Sequence, residues 1–325
     1  MLRNGDSNSR RLRLYEGISG RAYVAGRKVV RNWRRHQRNP ASGHRPGTFK
    51  SLIVHIVYKV HTVHIIRFSE NCTVLQDGWL KIDAADFKVG LNQQSGARLL
   101  IGLNQALLHI DGKYILIDAG LGARWTTDEL DLLDFERPRR MLKNLNALGL
   151  RAEDIDIVIF SHLHYDHSGG ALVQVGKTLA LLFTNAVYYV QRRELEYALN
   201  PDPAHIHDYQ QKDVNTLLSS GQMRIIDGDC EIANDVKVFL TGGHSPGHQV
   251  VIAQLPGGEV FYPGDIISVK QHLDLQTTMV YDMDRARVLS ERRKWLSAAS
   301  LAGWRMILCH AYRNPVLNFS KYSIN

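Results

Sequence analysis

Ser161-His162-Leu163-His164-Tyr165-Asp166-His167-Ser168-Gly169-Gly170 follows directly on the apolar run Ile155 to Phe160. Three imidazoles and one carboxylate lie within it in close succession. In extended backbone, residues i and i+2 share a face, so His162 and His164 can point at one centre. The chain then turns, which sends Asp166 and His167 towards a second centre close by. Neutral imidazole and carboxylate suit zinc and related divalent ions. One such stretch does not complete a site, so further ligands must come from elsewhere.

Upstream, Val74 to Ile82 and Arg98 to Ile110 read as strands, and Asp111-Gly112-Lys113 as the hairpin turn after the second. Tyr114 to Ile117 is a short strand ending in Asp118-Ala119-Gly120-Leu121-Gly122, where the glycines permit a sharp turn and Asp118 is placed to orient a neighbouring ligand. Trp125 to Phe135 is expected to be a loop over a pocket. Arg137 to Leu148 carries Met141, Leu142, Leu145 and Leu148 at helical spacing and stops at Gly149. A helix is expected to begin at Gly169-Gly170, its N–H groups facing the site.

Downstream come a strand at Ala186 to Val190 and a helix at Arg192 to Leu199, stopped by Asn200-Pro201. Pro201 to Lys212, with His205 and His207, reads as a polar surface segment. Met223 to Ile226, Val236 to Leu240, Val250 to Leu255 and Glu259 to Tyr262 are short strands, Asp284 to Ala302 a long helix and Met306 to Cys309 a last strand. Two runs of strands, each with helices, predict a layered α/β body with facing sheets. Three of these strands repeat the grammar of the opening stretch by placing His or Asp just past their ends. They lead to His244 in Thr241-Gly242-Gly243-His244-Ser245-Pro246-Gly247-His248, to Asp265 in Pro263-Gly264-Asp265, and to His310 in Cys309-His310.

The chain has 325 residues, 44% of them hydrophobic and 22% charged, which fits an ordinary globular protein. Its net charge of +8 is unevenly spread. Residues 1–68 hold 15 Lys/Arg and 2 Asp/Glu, and the remaining 25 and 30 make the body mildly acidic. Residues 1–70 are therefore expected to be a basic, disordered extension, in preference to a targeting presequence or a basic binding arm, and residues 71–325 the functional domain. The body gives no case for nucleic-acid binding. Ser51 to Phe68 is too short and too polar to span a bilayer. Cys72, Cys230 and Cys309 are widely spaced with no CxxC pair, which fits a reducing, cytoplasmic compartment.

Over about residues 72–312 the chain resembles the metallo-β-lactamase-fold hydrolase superfamily. Its landmarks are matched by Asp118, the His162/His164/Asp166/His167 cluster, His244, Asp265 and His310. The resemblance implies a four-layer αβ/βα sandwich with two divalent ions, zinc foremost, at one edge of the sheets. It implies that His162, His164 and His244 hold one ion, that Asp166, His167 and His310 hold the other, and that Asp265 bridges both. Attack by a hydroxide shared between the ions would follow, with Asp166 relaying its proton. His248 is expected near the ligands without being one.

Leu116 to Gly122, Ser161 to His167, Gly243 to His248, Tyr262 to Asp265 and Tyr281-Asp282 are similar to the lactonase branch, which includes quorum-quenching acyl-homoserine lactonases. One position departs from that branch. Where those lactonases place a Tyr three residues after the bridging Asp, this chain has Ser268, with Tyr165 and Tyr281 as alternative phenols. The expected activity is hydrolysis of an ester or lactone, foremost lactone ring opening on a small molecule. Phosphotriester or aryl-ester hydrolysis is the alternative, and a non-catalytic metal-binding protein the remaining one. The oligomeric state is left open, a homodimer included.

Overall fold

A computed structural model describes residues 65–86, 98–132, 135–136 and 140–319. Most of the expected extension, and parts of the segments expected at 125–135 and 137–148, lie outside the described residues. The first sheet opens with β1 (Ile65–Ser69), β2 (Cys72–Asp83), β3 (Arg98–Ile110) and β4 (Lys113–Ile117), each antiparallel to the one before. β1 lies before residue 71, so the sheet begins ahead of the expected domain boundary. The short β5 (Phe135–Glu136) pairs with β2, and β6 (Ile157–Ile159) runs parallel to β4. β7 (Leu172–Val175) and β8 (Thr178–Leu181) form a separate hairpin, and β9 (Val187–Gln191) and β10 (Met223–Ile226) extend the first sheet in parallel. The second sheet is β11 (Cys230–Ala233), β12 (Val236–Leu240), β13 (Gln249–Leu255), β14 (Gly258–Tyr262), β15 (Arg305–Ile307) and β16 (Val316–Asn318), in that order.

Alternation along the strands fixes the layering. In β4, Ile115 and Ile117 face the second sheet, where they pack with Val238, Val251 and Val260, whereas Leu116 faces the opposite way. Leu116 meets a core completed by α2 (Met141–Ala147), α4 (Arg192–Leu199) and α5 (Gln211–Ser219) through Leu145, Leu195 and Leu217. Two shorter helices are α1 (Thr127–Leu132) and α3 (Tyr165–Ser168). On the far side, Val250 and Phe261 leave the second sheet to pack on Val288, Trp295 and Ala299 of α6 (Arg285–Ala302). Helix, sheet, sheet and helix therefore stack as four layers. α6 starts where the Asp284 carboxylate accepts from the Arg287 N–H, and it stops at left-handed Gly303 (φ 69°).

Two expectations are corrected and one helix is added. The segment from Trp125 is not all loop, because Thr127–Leu132 is helical. The helix expected at Gly169-Gly170 starts earlier, at Tyr165, and the Gly170 N–H is used on the Gly120 carbonyl at 2.8 Å instead of facing the site. Gln211–Ser219, not anticipated, is α5. Among the described residues no helix is long and apolar enough to cross a membrane.

Candidate metal centre

Strand direction brings the candidate residues to one edge. β4 and β6 are parallel neighbours, so Asp118 and Ser161, just past their C-terminal ends, emerge side by side. β14 and β15 are likewise parallel, and β12 runs with them because each is antiparallel to an intervening partner or parallel to the other. The loops carrying His244, Asp265 and His310 therefore leave the second sheet together. Two loops of the first sheet cross backbone to backbone. A Cβ on Gly170 would lie 2.0 Å from the Ala119 carbonyl oxygen, and the Ala119 N–H donates to the His167 carbonyl at 2.7 Å. Only glycine permits that approach.

Among the described residues, His162, His164 and His244 form one group of possible ligand atoms, and Asp166, His167 and His310 another that shares no residue with it. Two overlapping groups join Asp265 to His162 and His167, and to Cys309 and His310, and the atoms of every group lie within 4.8 Å of one another. His244 Nε2 lies 3.1 Å from His164 Nδ1, and His167 Nε2 lies 3.2 Å from His310 Nε2. Asp265 stands between the groups. Its Oδ2 is 3.3 Å from His244 Nε2, and its Oδ1 is 3.1 Å from His310 Nε2 and 3.4 Å from His167 Nε2.

Three of the five histidines have the outer nitrogen fixed by an acceptor, which sets their tautomers, whereas the outer Nε2 of His164 has no hydrogen-bond partner. His167 Nδ1 is 2.8 Å from Asp118 Oδ2, His244 Nδ1 is 2.9 Å from Asp282 Oδ1, and His310 Nδ1 is 3.0 Å from the Gly102 carbonyl. With a cation bound, each of these rings would turn an Nε2 lone pair inward. Asp118, itself left-handed (φ 58°), also accepts from the Ser161 N–H and Oγ–H at 2.7 Å each and from the Tyr262 hydroxyl at 2.9 Å.

Neutral and charged groups are buried together here. Burial and the neighbouring imidazoles hold His162 and His164 well below the ordinary histidine pKa, so both stay neutral ligands. Burial also works against charge on His167, yet Asp166, Asp265 and Asp118 outweigh it and raise its pKa well above normal. Burial alone would raise the pKa of Asp265, but His310, His167 and His244 pull it well below the usual carboxylate range. Without a cation, the raised imidazoles of His167, His244 and His310 balance this ionised carboxylate, and a bound cation would take their place. His162 Nε2 is buried without a hydrogen-bond partner. An orphaned lone pair beside an ionised carboxylate and converging imidazoles fits a divalent cation site.

A small, half-open cleft leads to this cluster, walled by Leu80, Ile82, Ile101, Tyr165 and Tyr281, with Asp208 at its side. The two phenols expected near substrate do line it. Ser268 does not, since it is fully buried with its Oγ 3.3 Å from His272 Nδ1. His248 has both nitrogens engaged, Nδ1 2.7 Å from Thr241 Oγ1 and Nε2 accepting from the Asp265 N–H at 3.0 Å, so it holds the Asp265 backbone. His205 pairs with Asp208 at 3.0 Å, and neither it nor exposed His207 joins the cluster.

Three residues of the site have roles not assigned from the sequence, although Tyr281-Asp282 figures in the resemblance. Asp282 orients His244. Buried Glu194 accepts from the Leu163 and Gly247 N–H groups (2.9 and 3.1 Å), from the Ser245 hydroxyl (2.6 Å) and from the Tyr209 hydroxyl (3.2 Å), tying the two histidine-bearing loops together. The buried Cys309 thiol donates to Asp265 Oδ1 at 3.1 Å.

Comparison with known proteins agrees with this architecture. The chain is 30% identical over 203 residues to the N-acyl homoserine lactonase AttM of Agrobacterium fabrum, covering 57% of this chain and 72% of that protein. It is 32% identical over 136 residues to an N-acyl homoserine lactonase of Bacillus thuringiensis, covering 42% and 48%. In fold it is similar to a probable metal-dependent hydrolase from Staphylococcus aureus (TM-score 0.71, 20% identity, 77% and 92% covered). It is also similar to the dizinc quorum-quenching lactonase AidC (TM-score 0.65, 20% identity, 78% and 92% covered). The family model of the metallo-beta-lactamase superfamily matches residues 102–310, from β3 to the last histidine of the cluster. With that match spanning well over half its length, the chain belongs to the metallo-beta-lactamase superfamily of hydrolases.

Proposed function

We propose that this chain opens lactone rings, using two divalent cations, zinc foremost, held by His162, His164 and His244 and by Asp166, His167 and His310, with Asp265 shared. The observation that carries this reading is the split of Asp265, one oxygen towards each imidazole group. The lactonase relatives support the substrate class. The unpaired cysteines are in keeping with a reducing, cytoplasmic setting.

When bound, the two cations supply a water deprotonated near neutral pH and polarisation of the scissile carbonyl. The chain's own residues do the rest. Asp118, Asp282 and the Gly102 carbonyl hold the outer N–H groups so that Nε2 faces inward. Asp166, with 15% of its side chain exposed, is the most accessible carboxylate of the cluster and is positioned to take a proton. It returns that proton to the ring oxygen as the acyl C–O bond breaks, giving an open-chain hydroxy acid. Leu80, Ile82, Ile101 and the phenol rings of Tyr165 and Tyr281 shed water from the cleft and suit an apolar acyl chain.

Hydrolysis of aryl esters or phosphotriesters is the second reading, favoured by the burial of Ser268, which leaves that place without a group for the lactone carbonyl. Turnover of acyl-homoserine lactones, aryl esters and phosphotriesters by fully loaded protein separates the two. No lactone turnover overturns the first. Asp166→Asn is expected to lower kcat by about 10²–10⁴-fold, and unchanged kcat argues for a binding protein instead.

A further inference from the structure

We infer that Cys309 is a positioning residue that keeps Asp265 shared between the two halves of the centre. This rests on the two-cation reading above. A carboxylate turns broadly about its last torsion, so something must hold Asp265 with one oxygen towards each group. Its backbone is held by His248. Its side chain meets His244 through Oδ2, and His167, His310 and Cys309 through Oδ1. Once the three rings direct Nε2 lone pairs at cations, none of them can donate to Asp265. The Cys309 thiol remains a donor, 3.1 Å from Oδ1 and 3.3 Å from the Gly264 carbonyl.

Cys309 is itself locked. It is 1% exposed, packed between the sheets, and sits two residues past the end of β15, next to His310. A thiol is a weak donor, so its contribution is direction more than strength. It occupies the second lone pair of Oδ1 and leaves the first for the Asp166/His167/His310 side. Removing the donor should therefore weaken that half of the centre and spare the three-histidine half.

The test uses the full-length protein, stripped of metal and titrated with cobalt(II) under a competing chelator. Wild type is expected to take two ions per chain and to show no thiolate-to-cobalt charge-transfer band. Cys309→Val, which fills the space without a donor, should bind one ion normally and the second about 10–100-fold more weakly. Cys309→Ser, which restores a donor, should recover most of that loss. If Val overpacks the site and the protein does not fold, Cys309→Ala carries the same comparison with Ser.

Equal second-ion affinity in the donor-less variant overturns the inference. So does equal weakening of both ions, which would mark a general packing defect. A charge-transfer band in wild type makes the sulfur a ligand and also overturns it. Wild type that binds a single ion overturns the two-cation reading itself, a result distinct from the others.

Discussion

Asp118→Asn changes one atom at a point where the structure leaves little choice of response. Asp118 Oδ1 accepts from the Ser161 backbone N–H, which cannot reverse, so the amide oxygen is favoured on that side. The new NH2 then replaces Oδ2 and faces His167 Nδ1, the Ser161 hydroxyl and the Tyr262 hydroxyl. The hydroxyls have other partners, His162 Nδ1 at 3.0 Å and the Asn104 carbonyl at 3.0 Å. His167 has no such escape. It must accept at Nδ1, which moves its proton to Nε2, the atom that faces Asp265 and His310.

A ring protonated at Nε2 has no lone pair for a cation. The opposite amide orientation spares His167 but sets NH2 against the Ser161 N–H, beside His162. Loss of such an orienting acceptor typically weakens metal affinity 10–100-fold, about 1.4–2.8 kcal/mol. Competition with a chelator of known affinity, on variant and wild type at one pH, measures it. Asparagine tolerates the left-handed backbone at this position, so the fold should survive. Two ions bound with unchanged affinity, or kcat/KM within twofold of wild type, refutes the reasoning.

Gly170→Ala should destabilise the protein by about 1–3 kcal/mol, because its Cβ would meet the Ala119 carbonyl at 2.0 Å and must part the two loops. Urea unfolding checks it, and a change below about 0.5 kcal/mol counts against the contact. His248 supplies a pH prediction for metal-free protein. Burial and then the nearby His244 depress its folded pKa well below 6.5. Between that value and 6.5 the unfolded chain binds more protons, so the contribution of His248 is present above about pH 6.5 and lost as pH falls. The stability gap between wild type and His248→Gln should shrink on acidification, and a gap independent of pH excludes this origin.

How much of this was readable from the chain depended on the range of the interaction. β3 falls at Arg98–Ile110 as expected because its end is set locally, with Asp111 (φ 49°) and Gly112 (φ 74°) making the primed hairpin turn. The seven candidate ligands were legible because each sits in or just after a strand-end turn. α5 was hidden by its composition, since only Asp213, Val214 and Leu217 are buried along Gln211–Ser219. Glu194 looked like a polar position at the start of a helix. Its partners lie 31 and 51 residues away at Leu163 and Ser245, and no local pattern encodes such a distance. Spacing from Asp265 suggests a place near substrate for Ser268, but the short helical turn Gly264–Ile267 leads it into the interior.

The centre also has a mechanical side. His162, His164, Asp166 and His167 hang from the first sheet, and His244, Asp265 and His310 from the second. A cation held by either group would span both halves and act as a rivet through the seam. A ligand that binds only the folded form adds RT ln(1 + [L]/Kd), about 4 kcal/mol when the free ion stands a thousandfold above Kd. That is comparable with a large share of a domain's whole stability. The joint between the sheets would then tighten and slacken with the free metal concentration around it, making the lifetime of the folded chain a gauge of metal supply.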